Sequence, residues 1–374
     1  MACDDPYAAF HIPLSQHLLS YIIHGHRGLW RRLGNIESNS IRDQIDRVAI
    51  RKPVYVTGLA RSGSTILLEI LATHSEVATH RYRDFWTLYT PYWSAKSQRH
   101  VAPSEAVERS HGDGIMITPD SPEAMEEILW MSFFPKLHDP AVANVLTDDT
   151  SNLNFEQFYR DHIRKLLLVR KRSRYVAKGN YNLTRLSYLH KLFPDAHFVI
   201  PIRDPRDHIA SLQKQHELLI QAARVHPRSV TYLDRVGHFE FGQHRIPLNT
   251  GSREAVDQIE RLWNSDQSAR GWARYWAQLY QHVAETLEND PSLRECVTII
   301  RYEELCSDPA VVLSRLFSDC ALDNAESIIA NYAERLHRPT YYRPQFTDAE
   351  ETAIEEETRD VASWFGYETS QNVA

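Results

Sequence analysis

PVYVTGLARSGSTILLEIL, residues 53–71, is the stretch of sequence that decides the fold. It begins with the run Val54–Thr57, whose β-branched residues are typical of a strand. A turn with two glycines, Gly58 and Gly63, follows, and apolar residues then recur at helical spacing. A strand, a loop and a helix in this order direct free backbone N–H groups and the positive end of a helix dipole at one point, which favours the binding of an anion.

The two glycines have the spacing of the Walker phosphate loop, G-x-x-x-x-G-K-[ST], but Ser64 occupies the lysine position of that motif. Serine cannot reach the β- and γ-phosphates as lysine does, and the loop's own cation is Arg61. The loop is therefore expected to bind an anion without the usual means of holding a nucleoside triphosphate. Taken alone, the same pattern is also compatible with a βα turn that binds nothing.

The composition is that of a soluble globular protein of 374 residues, with 43% hydrophobic and 24% charged residues. This length corresponds to one large domain or two ordinary domains. The formal net charge of -7 argues against a general nucleic-acid binder, so any anion site must be local. The four cysteines show neither metal-binding nor disulfide-framework spacing, which fits a reducing compartment.

The sequence shows no targeting or membrane-spanning segment. Residues 1–13 carry two aspartates and no apolar core, and no run approaches the roughly 20 apolar residues of a membrane span. Leu14–Ile23 is apolar but interrupted by polar residues, and it predicts an amphipathic N-terminal helix. We therefore expect a cytoplasmic protein without an integral membrane segment.

Further along the chain, strand-like and helix-like patterns alternate, which predicts an α/β fold with a mainly parallel central sheet flanked by helices. Residues 1–50 are interpreted as a helical lead-in, and residues 253–287 as one long helix. The irregular segments 94–122 and 223–252 contain several prolines and glycines and are predicted to be insertions that shape a binding site. No internal repeat divides the chain.

Three polar stretches follow predicted strands: Gly58–Thr65, Lys178–Asn180 and Arg203–Ser211. Parallel sheets bind ligands at the carboxyl ends of their strands, so these stretches should converge. In the last stretch, Pro205 suits the first turn of a helix, and Ser211 lies two turns further on. The Arg203 guanidinium and the Ser211 hydroxyl would together bind a phosphate well. The alternative is that the charged residues of RDPRD only pair with one another.

Together these motifs resemble those of the sulfotransferases that use 3′-phosphoadenosine 5′-phosphosulfate, in particular the broad bacterial branch. TGLARSGST resembles the family's 5′-phosphosulfate loop, and FVIPIRDPRDHIASL resembles its 3′-phosphate motif. KLFPDAHFV before the second motif and IIRYEEL after it are similar to the family as well. The resemblance implies a single P-loop-like sulfotransferase domain over residues 1–374, with helical insertions.

The resemblance also implies roles for individual residues. The 5′-phosphosulfate would be held by the loop residues Arg61, Ser62, Gly63, Ser64 and Thr65. The 3′-phosphate would be held by Arg203 and Ser211, and Lys178 would lie beside the sulfuryl group. Gly179 and Asn180 depart from the family's K-[ST]-P segment. The family's cytosolic small-molecule branch closes its site with an Arg-Lys-Gly loop near the C-terminus, and this sequence lacks that loop. Candidates to replace that loop are Arg338, Tyr341, Tyr342 and Arg343.

The implied reaction is in-line displacement of the sulfuryl group onto an acceptor hydroxyl or amine, without a metal, leaving 3′-phosphoadenosine 5′-phosphate as product. Positioning and electrostatics would lower the barrier, as in phosphoryl transfer. A hydroxyl acceptor needs a general base, for which His80 and Asp84 are candidates. An ion pair of Asp84 with Arg81 or Arg83 is the alternative. His111 and His208 are weaker candidates for the base.

Two other functions remain compatible with the sequence. A P-loop kinase or NTPase would bind ATP with magnesium, although Ser64 at the lysine position argues against it. A non-catalytic nucleotide-binding module would bind the donor without transferring anything. The acceptor and the oligomeric state are not readable from the sequence. A small molecule, a carbohydrate and a lipid all fit as acceptors, whereas a nucleic acid does not.

Overall fold

The computed structural model of the chain describes residues 5–97, 106–108, 116–338 and 344–367. Five strands form one sheet in which every pair of neighbours is parallel, in the order β2, β5, β1, β6, β7. A separate antiparallel pair, β3 and β4, belongs to the predicted insertion 94–122. In chain order the strands are β1 Val54–Val56, β2 Val77–Ala78, β3 Val107–Glu108, β4 Met116–Ile117, β5 Arg174–Lys178, β6 His197–Ile202 and β7 Val297–Arg301.

Helices pack on both faces of the sheet, as the alternating pattern of the sequence predicts. The α-helices are α1 Leu14–Gly25, α2 Arg27–Ser40, α3 Arg42–Ile45, α4 Ser64–Ala72, α5 Pro91–Ser97, α6 Glu126–Phe133, α7 Leu153–Arg170, α8 Leu186–Leu192, α9 Pro205–Val225, α10 Arg228–Val236, α11 Arg253–Trp263, α12 Ser268–Asn289, α13 Pro291–Glu295, α14 Tyr302–Ser307, α15 Pro309–Asp319, α16 Glu326–Arg335 and α17 Asp348–Trp364. Three short 3-10 helices cover Ala8–Phe10, Tyr82–Thr87 and Asn180–Thr184.

The central strand β1 shows how the sheet separates two hydrophobic cores. Successive side chains of a strand point to opposite faces. Accordingly, Val54 and Val56 lie in a core with α4 and α15, whereas Tyr55 lies in the larger core with α7, α9 and α12. Because both faces are covered, all three strand residues are fully buried. This burial makes β1 the rigid base from which the glycine loop projects.

The parallel sheet flanked by helices confirms the fold class predicted from the sequence, and the structure corrects two details. Residues 223–252 are not irregular throughout, because α10 lies within them. Residues 253–287 form two helices, α11 and α12, since the chain turns between Trp263 and Ser268. Strand β1 pairs with β5 on one side and with β6 on the other. The stretches that follow these three strands therefore meet at one edge of the sheet.

Candidate functional site

The loop after β1 is held in a conformation that ordinary residues rarely adopt. Gly63 has φ 101° and Arg61 has φ 72°. A Cβ atom on Gly63 would lie 2.7 Å from the ring of Tyr302, so a side chain is excluded there by both backbone and space. Helix α4 begins at Ser64 directly after this turn, and the N–H groups of its first turn point out of the helix. The local sequence thus forms a helix N-terminus, that of α4, of the kind that can bind an anion.

A buried histidine fixes the loop to helix α9. His208 is fully buried, its Nε2 donates to the carbonyl of Ala60 at 2.8 Å, and its Nδ1 accepts from Trp276 Nε1 at 3.1 Å. Burial lowers the pKa of His208 to about 3, so the ring is neutral. With both nitrogens engaged, His208 positions the loop rather than moving protons.

The structure brings the two predicted anion-binding motifs together. Arg61 Nε lies 3.4 Å from Ser211 Oγ, so the glycine loop and helix α9 meet. The guanidinium of Arg203 lies 5.3 Å from the ring centroid of Tyr302, the same ring that packs against Gly63. Arg61, Arg203 and Ser211 are therefore linked to the start of α4 through direct contact or through the shared neighbour Tyr302.

Arg203 is only weakly engaged within the protein. Its side chain is 15% exposed, and among the described residues it has one carboxylate within 4.0 Å, that of Asp207, and no hydrogen-bond partner for its buried Nε. Two other charged residues of the RDPRD motif, residues 203–207, have partners of their own: Asp204 caps α9, and Arg206 pairs with Glu351. Pairing within the motif therefore leaves the Arg203 guanidinium able to accept an external anion.

A chain of polar contacts extends from the loop along the end of β5. Lys178 Nζ donates to Thr65 Oγ1 at 3.1 Å, and Ser64 Oγ donates to Asn180 Oδ1 at 3.4 Å. Asn180 Nδ2 in turn donates to Glu240 Oε1 at 2.9 Å. The second and third predicted stretches are thus connected to a residue from the segment 223–252.

The polar chain borders a cavity of about 400 Å³. Its polar end contains residues of the loop, of β5 and its following turn, and three groups that can carry a proton: Glu123, His238 and Glu240. The remaining wall is largely apolar and is formed by Ala9, Phe10, Ile12, Ala60, Tyr82, Phe85, Trp86, Ala124, Met125, Ile128, Leu219, Tyr232, Leu233, Val236 and Phe241. The cavity can therefore hold a molecule with a polar end directed at the loop and a less polar body.

His238 and Glu240 form a pair at the polar end, with His238 Nδ1 3.5 Å from Glu240 Oε2. The His238 side chain is 48% exposed, and the partial desolvation that lowers its pKa is outweighed by the hydrogen bond and the charge of Glu240, so the pKa of His238 is raised. Burial likewise opposes ionisation of Glu240, yet its contacts with His238 and Asn180 lower the pKa of that carboxyl to about 2. Glu240 is thus a fixed carboxylate that orients and polarises the imidazole.

The structure does not bring His80 or Asp84 to the described wall of the cavity. His80 is buried, contacts His162 at 2.8 Å between their Nε2 atoms, and its pKa is lowered to about 4 by burial. Asp84 accepts hydrogen bonds from the Arg81 backbone and from Arg170 at 2.6 Å. These contacts fix the turn at Tyr82–Thr87, whose aromatic side chains, rather than the carboxylate, line the cavity.

The sequence reasoning singled out neither Glu123 nor the His238–Glu240 pair. The only signal was positional: His238 and Glu240 lie inside the predicted insertion 223–252, and Glu123 directly follows the insertion 94–122. Of the residues proposed to replace the late loop, Arg338 is exposed and does not line the cavity. Tyr341, Tyr342 and Arg343 lie outside the described residues, as does His111. Within the described ranges, no cluster of three or more His, Cys, Asp or Glu side chains is suited to a metal ion.

Comparison with known proteins identifies related sequences and folds. A sequence model described as the sulfotransferase family matches residues 53–246, just over half of the chain. Sulfotransferase STF9 from Mycobacterium avium superimposes with a TM-score of 0.52 and 15% identity, covering 89% of this chain and 82% of that one. Sulfotransferase STF1 from Mycobacterium tuberculosis H37Rv gives a TM-score of 0.51 and 14% identity, covering 88% and 81%. At these identities the two structures show a shared fold alone. No curated protein sequence matches the chain.

Proposed function

Since the chain belongs to the sulfotransferase family, we propose that it transfers a sulfuryl group from 3′-phosphoadenosine 5′-phosphosulfate to a hydroxyl or amine of an acceptor. The acceptor is a small molecule or a carbohydrate-sized compound bound in the cavity beside the glycine loop. The protein acts in the cytoplasm and needs no metal for this reaction. The observation that carries the proposal is the contact of Arg61 with Ser211, which joins the glycine loop to helix α9.

The 5′ end of the donor is assigned to the glycine loop. Gly63, with its left-handed φ, turns the chain into the first turn of α4, where free N–H groups and the helix dipole attract negative charge. Arg61 adds a guanidinium beside the same point, and Ser62, Ser64 and Thr65 supply hydroxyl groups. These groups suit a phosphosulfate because its charge is spread over several oxygen atoms.

The 3′-phosphate is assigned to Arg203 and Ser211. A buried Nε without a partner is costly, and an external anion would satisfy it. A phosphate beside Arg203 would also lie near Tyr302, which packs against the guanidinium on one side and against Gly63 on the other. The donor would thus connect the two motifs through its ribose and its two phosphates.

In the proposed reaction the acceptor oxygen or nitrogen attacks sulfur in line with the bond to the 5′-phosphate. The new bond to sulfur forms, the bond between sulfur and the bridging oxygen breaks, and its electron pair stays on that oxygen. Negative charge therefore grows on the leaving phosphate, where Arg61 and the loop N–H groups would stabilise it. Lys178, which contacts Thr65 at the end of β5, would neutralise charge on the transferred group.

The proton of the acceptor is assigned to His238. Its Nδ1 faces Glu240, which leaves Nε2 as the nitrogen that would accept the proton. Glu240 would stabilise the imidazolium that forms, as a carboxylate does for the histidine of a catalytic triad. His80 and Asp84, the candidates from the sequence, are engaged behind the wall, so we place the base on the segment after α10 instead.

The test is transfer from a donor labelled in its sulfate, with a panel of alcohols, phenols, sugars and amines as acceptors. We expect labelled product from at least one class and none from the denatured protein. In parallel, thermal unfolding is followed with 3′-phosphoadenosine 5′-phosphate or with ATP and magnesium. Stabilisation by ATP and magnesium alone would support the kinase alternative and overturn the proposal. Stabilisation by the bisphosphate without any transfer would indicate a non-catalytic module.

A further inference from the structure

Helix α1 is oriented against its own amphipathic pattern. Leu14, Leu18, Tyr21 and Ile22 lie on one side of it at helical spacing, and they are 54%, 51%, 62% and 48% exposed. The single buried residue of the helix is Ser20. A surface helix of a globular protein normally does the opposite and turns its apolar side inward. Its apolar side therefore lacks a partner in the described part of the chain.

The polar side of α1 is held to the fold by specific contacts. Arg235 of α10 donates to the carbonyl of His17 at 2.9 Å and to Ser20 Oγ at 3.0 Å. His24 Nδ1 lies 3.4 Å from the carbonyl of Arg235. The outward direction of the leucines therefore follows from hydrogen bonds on the opposite side of the helix.

Exposed apolar side chains are concentrated in this part of the molecule. Of the twelve large hydrophobic residues exposed in the described ranges, seven lie between residues 14 and 36: Leu14, Leu18, Leu19, Tyr21, Ile22, Leu29 and Ile36. Scattered single residues of this kind are normal, but a cluster marks an interaction surface. We call residues 14–36, which comprise α1 and most of α2, the N-terminal surface.

The charge of the N-terminal surface indicates what it binds. Residues 11–36 contain no aspartate or glutamate but include three arginines, whereas the whole chain has a net charge of -7. Arg32 is exposed, Arg31 lies over the Phe133 ring, and Arg27 donates to the Met131 carbonyl. An apolar helix side accompanied by arginines is the pattern of helices that lie in the interface of anionic membranes. Among the described helices, none has the length and apolarity to cross a bilayer.

The N-terminal surface adjoins the cavity of the candidate site. Phe10 and Ile12, which directly precede α1, and Gln16 within α1 line that cavity together with Val236 of α10. The same short segment thus has one side towards the cavity and another towards the exterior. Apart from Gln16, the lining residues that this segment contributes are apolar: Ala9, Phe10 and Ile12.

We propose that the N-terminal surface docks on an anionic lipid bilayer, and that the acceptor is a hydroxyl or amine compound with an apolar body that enters the cavity from there. The first half stands on the orientation and charge of α1 and α2 alone. The second half rests on the function proposed above. The apolar body would lie against Phe85, Trp86 and Val236, with its nucleophile directed at Lys178.

Docking is tested by sedimentation of the full chain with phosphatidylcholine vesicles that contain phosphatidylglycerol. The wild type should bind these vesicles, and pure phosphatidylcholine vesicles several-fold less. Leu18→Gln with Ile22→Gln should weaken binding on the order of 100-fold, because each substitution removes a large apolar side chain from the interface. The control pair Leu153→Gln with Val311→Gln, at positions 76% and 63% exposed elsewhere, should bind as the wild type does.

Three outcomes would overturn the docking proposal. They are no binding by the wild type, equal binding by the two double variants, or equal binding to neutral and anionic vesicles. The alternative that the N-terminal surface is a dimer interface is tested by sedimentation velocity. A wild-type dimer that the double substitution Leu18→Gln with Ile22→Gln dissociates would assign the surface to a second copy of this chain.

The acceptor class is tested with a series of primary alcohols of increasing length in the absence of vesicles. Each added methylene should raise kcat/KM by about 4-fold until the cavity is filled. If sugars are sulfated and kcat/KM for the alcohols does not depend on their length, the proposed acceptor class is wrong, whereas sulfuryl transfer itself stands. If no acceptor is sulfated while vesicle binding persists, the proposed function fails and the docking surface stands.

Discussion

The proposed donor side and the proposed acceptor side of the site are built differently. On the donor side, the binding groups come from two continuous motifs that directly follow strands β1 and β6, and they are fixed by buried contacts such as those of His208. On the acceptor side, the cavity wall is assembled from residues between Ala9 and Phe241 that lie on helices, turns and the N-terminal segment. The first is fixed by the sheet, whereas the second depends on how separate segments pack.

The two sides therefore place different demands on the residues that form them. A dianionic ligand needs several charged groups at fixed spacing, which only a rigid strand-loop-helix unit provides. An apolar wall requires only side chains of suitable size and tolerates many arrangements. We therefore expect substitutions on the donor side to change donor binding, and those on the acceptor side to change proton transfer or acceptor choice.

The largest effect is expected for the proposed base on the acceptor side. His238→Ala should lower kcat by about 10²–10⁴-fold, the usual contribution of a general base. The affinity for 3′-phosphoadenosine 5′-phosphate, measured by calorimetry, should stay within about 2-fold because His238 is not among the donor ligands. A variant with normal kcat would remove His238 as the base and make Glu123, which also lies at the polar end of the cavity, the next candidate.

On the donor side, Arg203→Ala should weaken binding of 3′-phosphoadenosine 5′-phosphate by about 10–150-fold, since a charge-assisted hydrogen bond contributes about 1.5–3 kcal/mol. Adenosine 5′-phosphate provides the matched control, because it lacks the 3′-phosphate and should bind the variant and the wild type alike. Equal losses for both ligands would show that Arg203 acts on the loop rather than on the 3′-phosphate.

Asp84→Asn separates a structural role from a catalytic one. The Asp84 carboxylate, largely buried, pairs with Arg170 and accepts from the Arg81 N–H at the start of its own turn, so its loss should lower the free energy of unfolding by about 1–3 kcal/mol. Asp120→Asn is the control, because Asp120 is half exposed and its ion pairs with Arg81 and Arg83 are solvent-screened. A kcat reduced 100-fold with unchanged stability would make Asp84 the base after all.

The smallest effect is expected for Glu240→Gln, as a shift in the pH dependence of kcat/KM. His238 must be neutral to accept a proton, so kcat/KM should fall as the pH drops through its pKa, which lies above the ordinary value. Glu240→Gln removes the neighbouring charge that raises this pKa, while Glu123 and Lys178 remain. The acidic limb should therefore move to lower pH, and an unmoved limb would exclude His238 as the titrating group.

The sequence predicted the fold class and the loops after β1 and β6, whereas donor binding by these loops stays a prediction. β-branched runs followed by glycine or proline predicted β1, β6 and the loops after them, because strands of a parallel sheet are apolar and their carboxyl ends carry the polar residues. The apolar run at residues 14–23 also predicted helix α1. Its inverted orientation could not be predicted, since it follows from contacts with Arg235, more than two hundred residues away.

The acceptor side was beyond sequence reasoning for a similar reason. Whether a carboxylate faces a cavity or an arginine depends on tertiary contacts: Asp84 is held by Arg170, whereas Glu240 is held by Asn180 at the cavity. Nothing in the local sequence around either residue distinguishes the two cases. Helix α10 was likewise hidden within a segment whose prolines and glycines indicated a loop.

A structure of the chain with 3′-phosphoadenosine 5′-phosphate bound tests the central claim most directly. We predict the 5′-phosphate in front of the first turn of α4, beside Arg61, and the 3′-phosphate on Arg203 and Ser211. A nucleotide whose 3′-phosphate contacts neither Arg203 nor Ser211, or whose phosphates lie away from Gly63, would contradict the account.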